Sequence, residues 1–224
     1  MRYKIFLMLF VLALVSCKNE KKEDEHAATD NNVQTGEMVE DETAEIAELP
    51  NPSDVSFDIA LDAYKSGDHK KAADMIAEGI VNLRKEETST PKSESKLLDD
   101  YVNSLRTLAD DIRNDKTVDV DELEATFANA EMLIAHNYIG YAMAVVADQP
   151  AKSVSYFDSV VISLDKAIKK LKGDTLKEAQ QIKEESVKLQ QRIKDGDKNV
   201  KDDITAETKK IEDFLTRHKT SLEK

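Results

Sequence analysis

The sequence predicts an all-α protein, an antiparallel up-and-down bundle of about six or seven helices. Charged residues make up 34% of its 224 residues, and it has only six Gly and four Pro, a composition typical of long helices with large solvated surfaces. From Asn51 onward, apolar residues recur at intervals of three and four, which is the period of an amphipathic helix. No segment alternates with period two over a useful length, so no sheet is expected.

The first two helices are predicted over residues 55–65 and 69–86. The segment KSGDH separates them and is rich in turn-forming residues. The second helix places its small and apolar residues on one face, namely Ala72, Ile76, Gly79, Ile80 and Leu83.

Start signals mark the third and fourth helices. Pro91 restarts the chain, and proline fits a first helical position because no hydrogen bond is lost there. Asp119 and Glu122 have the spacing of a cap for the fourth helix, over residues 121–147. The third helix repeats apolar residues every three or four positions, at Leu97, Tyr101, Leu105, Leu108 and Ile112.

The fourth helix is predicted to lie at the centre of the bundle. It contains MLIAHNYIGYAMAVVA, which is apolar on nearly every side, and such a helix is buried on every side. Gly140 in this helix and Gly79 in the second lower helix propensity. We therefore expect each glycine to allow two helix backbones to approach closely.

Proline and glycine also delimit the fifth and sixth helices. Pro150 opens the fifth, and Gly173 is expected to cap its C-terminal end. Thr175 and Glu178 have the spacing of a capping box for the sixth helix.

The end of the chain is predicted as one more helix, over residues 200–222. A break at Gly196 is favoured over one continuous helix, because Asp, Gly and Asn cluster there. The connections between successive helices are short, which implies antiparallel neighbours.

The N-terminal segment has the order of a secretion signal. Arg2 and Lys4 make it positive, and residues 5–15 are uncharged and would span about 16 Å as a helix. That length is typical of a signal-peptide core and is about half of a ~30 Å hydrocarbon core.

The residues Leu14, Val15, Ser16 and Cys17 follow, and they resemble the lipobox of bacterial lipoproteins. The resemblance implies cleavage between Ser16 and Cys17, a thioether-linked diacylglycerol on Cys17 and a further acyl chain such as palmitate on the new N-terminus. Two or three acyl chains anchor a protein stably in a membrane. The alternative is an ordinary secreted protein with an incidental cysteine. No cofactor is expected besides the covalent lipid.

Three parts of the chain follow from these patterns: a lipoprotein signal peptide at 1–16, an acylated Cys with a disordered acidic tether at 17–50, and a helical bundle domain at 51–224. The tether has eleven acidic residues against three lysines and few apolar ones, so it cannot offset its ordering entropy by burial. The chain carries a formal net charge of −13 and no basic stripe, which argues against nucleic acid as a partner.

The predicted location is the bacterial cell envelope, with the chain anchored to the outer membrane. The run NEKKEDE after Cys17 resembles the surface-export signals of lipoproteins in the Bacteroidetes group. A plain solvated tether explains the same run, so the periplasmic face and the cell surface both remain open.

Residues 60–80 resemble one tetratricopeptide repeat, with Ala60, Tyr64, Gly67, Asp68, Ala72, Ile76 and Gly79 at its small, apolar and turn positions. A weaker echo begins at Tyr141. Repeat solenoids need about three units, so two imperfect hairpins favour a bundle over a peptide-binding superhelix. The GD…KA turn also resembles that of YfdX-type periplasmic helical proteins, from which no site carries over.

Four polar or aromatic side chains interrupt the apolar fourth helix: His136, Asn137, Tyr138 and Tyr141. Spacings of three and four place Tyr141 on a face with Tyr138 and with Asn137. These residues could line a small-ligand pocket inside the bundle. They could equally be buried polar groups that neighbouring helices satisfy.

The sequence gives no sign of a catalytic or metal site. Its four histidines have no ligand spacing, and no nucleophile, phosphate-binding or glycine-rich motif is present. We therefore expect a non-enzymatic, lipid-anchored interaction or scaffold module that binds a protein partner in the cell envelope. The alternative is a small-ligand-binding bundle with a pocket near His136–Tyr141.

Overall fold

The computed structural model describes residues 51–87 and 95–219, and these residues form seven helices and no strand. The predicted signal peptide, Cys17 with its tether, the helix start at Pro91 and the last residues of the chain lie outside this part. The all-α prediction is confirmed. The helices are α1 (Pro52–Lys65), α2 (His69–Glu87), α3 (Ser95–Arg113), α4 (Val120–Val145), α5 (Pro150–Lys170), α6 (Gly173–Lys194) and α7 (Lys201–Arg217).

Ion pairs between helices show the relative directions of the helices. Arg84 late in α2 pairs with Asp99 early in α3 at 2.8 Å, and Asp74 early in α2 pairs with Arg113 at the end of α3 at 3.3 Å. These two helices are therefore antiparallel. Hydrogen bonds and ion pairs show the same crossed order between α4 and α5, between α5 and α6, and between α6 and α7, as the short connections predicted.

Helix α4 is the centre of the described domain. It packs against α1, α3, α5 and α7, and residues 126–137 are buried without interruption. Helices α1, α2, α3 and α4 form one ring of successive contacts, and α4, α5, α6 and α7 form a second. The prediction of a helix buried on every side is thus confirmed, and α4 belongs to both rings.

The break near Gly196 is a helix-ending turn. Helix α6 ends at Lys194, and Gly196 has a φ of +80°, a value that favours glycine. The backbone N–H of Gly196 donates to Ile193 O, and that of Asp197 donates to Arg192 O, each at 3.0 Å. This pair of bonds is a Schellman motif, so the favoured break is confirmed.

Two predicted caps at the connection between α5 and α6 are wrong. Helix α5 ends at Lys170, and Gly173, with a φ of +60°, begins α6 instead of capping α5. Since α6 begins before Thr175, the hydroxyl of Thr175 donates to Lys172 O at 2.7 Å, and Glu178 pairs with Arg217 of α7. A charged partner is a stronger competitor for the carboxylate than a backbone N–H.

The cap at the start of α4 was predicted correctly in part. The side chain of Asp119 accepts a hydrogen bond from the backbone N–H of Asp121 at 2.7 Å. This bond satisfies one of the unpaired donors at the helix start.

Gly79 permits a close approach, although the neighbour is a ring and not a helix backbone. A Cβ at this position would clash with Phe57 of α1. Phe57 in turn stacks on Phe127 of α4, with ring centroids 5.3 Å apart. The glycine in α2 therefore lets a phenylalanine reach the middle of the bundle. Gly140 is buried within α4.

Candidate functional site

Two acidic side chains meet inside the domain. Asp54 lies in the first turn of α1, where the helix dipole favours a negative charge, and it is 1% exposed. Glu131 lies in the buried stretch of α4 and is 0% exposed. Carboxyl side chains are almost never fully buried unless they are paired, so two buried acids in one place are unusual.

Two lysines of α5 reach these acids. Lys166 Nζ bonds to Asp54 Oδ2. Lys170 Nζ lies 3.3 Å from Glu131 Oε1 and 2.8 Å from Asp58 Oδ1. The two lysines are one turn apart on α5 and the two aspartates are one turn apart on α1, so each lysine reaches one of the aspartates.

Each of the two acids has a second oxygen that no lysine of the described helices reaches. Asp54 Oδ1 and Glu131 Oε2 are buried, and no donor among the described residues reaches either of them. Burial, and then the neighbouring carboxyl of Asp54, raise the pKa of Glu131 well above its usual value. The raised pKa favours the protonated form of Glu131.

Two opposing effects act on the pKa of Lys170. Burial lowers the pKa of Lys170, but the carboxylates of Glu131 and Asp58 outweigh it and leave the pKa raised. The cluster holds three carboxyl groups and two ammonium groups, and one retained proton makes it neutral. A neutral cluster avoids the cost of burying an unpaired charge.

Another buried acid, outside this cluster, lies between α6 and α7. Glu207 is 1% exposed, accepts a hydrogen bond from Ser186 Oγ at 3.0 Å and lies 3.3 Å from Lys210 Nζ. Burial raises its pKa to about 7. Sequence reasoning missed this group, although a signal was present: Glu207 occupies a position of the apolar stripe between Ile204 and Ile211.

Of the four predicted pocket residues, His136 and Asn137 are buried. His136 Nε2 lies 3.1 Å from Glu212 Oε1 of α7, and its Nδ1 has no hydrogen-bond partner among the described residues. The structure therefore directs His136 towards the α4–α7 contact.

The two tyrosines lie at a different contact. The ring centroids of Tyr138 and Tyr141 are 6.4 and 5.4 Å from that of Tyr156 in α5. Successive residues of a helix point about 100° apart, so Tyr138 points away from the direction of His136. His136 and the two tyrosines thus lie at two different interfaces of α4, and ligand binding among the four predicted residues stays a prediction.

A cleft lies at one end of the second ring of helices, where the α4–α5 and α6–α7 connections meet. Its volume is about 330 Å³, and it is more enclosed than open. The polar residues along it are Asp197, Lys198 and Lys201. The apolar residues along it are Val146, Ala147, Pro150, Ile193 and Val200.

The described ranges hold neither a cluster of metal ligands nor a membrane-spanning helix. No group of three or more His, Cys, Asp or Glu side chains there is placed to hold a metal ion. None of the helices in this part of the chain combines the length and the apolar character needed to cross a bilayer.

Comparison with known proteins adds no relative. No family model matches the chain, and neither a curated protein nor a solved structure matches it.

Proposed function

We propose that this chain is a lipid-anchored, non-catalytic interaction module of the bacterial cell envelope that binds a protein partner. The observation that carries the proposal is the closure of its polar interior. Asp54, Glu131 and Glu207 are engaged by lysines or a serine of neighbouring helices. Because the buried acids stabilise contacts between the domain's own helices, its outer surface remains available for binding a protein partner.

The anchor comes from the lipobox-like residues that end at Cys17. Acyl chains on Cys17 hold the protein at the membrane, and no nucleic acid is involved. A flexible chain as long as the proposed tether, residues 18–50, would have an r.m.s. reach of roughly 30 Å, and like charges would extend it further. The bundle is thereby held clear of the lipid headgroups, on the periplasmic face or the cell surface.

The outer face of α1 is a suitable contact surface. Val55 and Ile59 are exposed and lie one turn apart on this helix. Because α1 directly follows the tether, a partner bound there stays within tether reach of the membrane.

Fractionation tests the anchor. Cys17→Ser is expected to release the protein from the membrane fraction or to leave it unprocessed, because the thiol is the acylation site. A Cys17→Ser chain of mature length that still sediments with membranes would contradict acyl anchoring.

Site-specific photo-crosslinking of the full chain in its native envelope tests partner binding. A photoreactive residue at Val55 or Ile59 is expected to give one discrete protein adduct. The same residue at Glu78, exposed on α2, is the matched control and is expected to give none. Loss of the Val55 adduct in an Ile59→Asp chain would link it to this face. Identical adducts at all positions, or none, would overturn the proposal.

A further inference from the structure

We propose that the end cleft, between the α4–α5 and α6–α7 connections, binds an aliphatic carboxylate, with the apolar body in the cleft and the carboxylate on Lys198 and Lys201. This site is independent of the proposed protein contact on α1.

The cleft has the size and floor of a small-ligand site. Its volume of about 330 Å³ lies at the lower end of the range for ligand pockets, roughly 300–1,000 Å³. Ile193 and Val200 form a buried floor, and Val146 packs against the same core. No aromatic side chain lines the cleft, which favours a short aliphatic body over a stacked ring.

The charges around the cleft favour an anion. Asp197 is the one acidic lining residue, and it is neutralised by Arg192, whose Nη2 lies 2.8 Å from Asp197 Oδ2. The same guanidinium binds Asp203 at 2.8 Å. Within the described part of the chain, Lys198 and Lys201 form no ion pair. The cleft is thus a local positive site on a chain of formal net charge −13.

Helix α7 adds backbone donors at the same end. Val200 precedes this helix and has no side-chain acceptor, so the first N–H groups of α7 lack a side-chain cap. The nearby carbonyls at the end of α6 are already bonded, because Gly196 and Asp197 donate to them. The start of α7 therefore offers uncapped N–H donors, while Asp202 and Asp203 in its first turn offset part of its positive charge and the negative end of α6 is screened.

The two lysines and the backbone donors define the recognised chemistry. An ammonium pair forms charge-assisted hydrogen bonds with a carboxylate, and these are about twice as strong as neutral ones. An uncharged molecule of the same length would keep only the apolar contact. Affinity should therefore depend on the carboxylate and on Lys198 and Lys201 together.

Methyl NMR of the full chain in lipid nanodiscs tests the proposal with hexanoate as the probe and hexan-1-ol as its uncharged match. Hexanoate is expected to shift the methyl signals of Val146 and Val200 saturably. Hexan-1-ol is expected to bind at least about tenfold more weakly.

Variants of the same chain separate this site from partition into lipid. Lys198→Gln with Lys201→Gln is expected to weaken hexanoate binding about tenfold or more. Lys209→Gln, an exposed lysine of α7 away from the cleft, is the matched control and should leave binding unchanged. Ala147→Leu should block the cleft and abolish the shifts. Equal affinity for both probes, an unchanged double variant, or shifts elsewhere would each overturn the proposal.

Discussion

The carboxyl of Glu131 in α4 lies beside the carboxyl of Asp54 in α1, and each acid is also held by a lysine of α5. Three helices therefore meet at one buried pair of acids. Burial makes the proton of Glu131 hard to remove, because its loss leaves two neighbouring negative charges in a low-dielectric setting. The stability of the domain should depend on pH through this pair.

Replacing Glu131 by Gln should flatten that dependence. The folded state keeps a proton that the unfolded chain releases near pH 4.5, the usual value for Glu. Stability therefore falls as pH rises from about 4.5 towards the raised pKa of Glu131. Gln mimics the protonated acid, so Glu131→Gln should lose this slope and be at least as stable as the parent at pH 7. Urea unfolding between pH 5 and 8 measures it.

The control for this substitution is Glu78→Gln, on the exposed side of α2. It should leave the slope as it is in the parent. If Glu131→Gln keeps the parent slope as well, the pair does not hold a proton in the folded protein.

Replacing Glu207 by Gln should remove a second slope in the dependence of stability on pH. Its folded pKa is raised to about 7, so its contribution declines as pH rises from about 4.5 to about 7. At neutral pH the raised pKa of Glu207 lowers the free energy of unfolding by at most about 3 kcal/mol. The Glu207 and Glu131 sites use different helices and different partners, so a double variant should show additive changes in unfolding free energy. Strong non-additivity would mean that the two acids titrate as one unit.

Lys170→Met should be strongly destabilising. It leaves Glu131 and Asp58 without their shared cation, and breaking a buried pair typically costs about 3–5 kcal/mol. Lys177→Met removes one exposed pair with Asp174 and should cost about 0–1 kcal/mol. Thermal and urea unfolding compare the two. Similar losses in both variants would refute a buried role for Lys170.

Gly79→Ala should destabilise the protein even though alanine favours helix. The added methyl group would clash with the ring of Phe57, and overpacking typically costs about 1–3 kcal/mol. Phe57→Leu in the same chain should recover part of that loss, which a double-mutant cycle measures. A stabilisation of about 1 kcal/mol from Gly79→Ala alone would indicate open space beside α2.

The helices and their order were predictable from sequence, because apolar spacing encodes which face of each helix is buried. The fully apolar run around Ile134 identified α4 as the central helix for the same reason. Partners distant in sequence were not predictable. Nothing near Asp54 indicates that it lies against Glu131, because the first turn of a helix is an ordinary place for an exposed acid.

The candidate sites show the same contrast between features that are local in the sequence and features built from distant residues. The polar residues from His136 to Tyr141 stood out because they interrupt an apolar helix, yet their directions depend on which neighbours surround α4. The end cleft was not predictable, because it is built from two connections about 50 residues apart, at Ala147 and Val200. Each connection alone reads as a simple turn.

The membership of α4 in both helix rings has a consequence for how the chain is made. As the polypeptide lengthens from its N-terminal end, α1, α2 and α3 are complete before the helix that covers their apolar faces exists. The first half must therefore wait, with Phe57 lacking its stacking partner Phe127, until α4 has been synthesised. A chaperone would be needed most during that interval. For the same reason, a truncation after α3 would leave an aggregation-prone fragment and not a smaller domain.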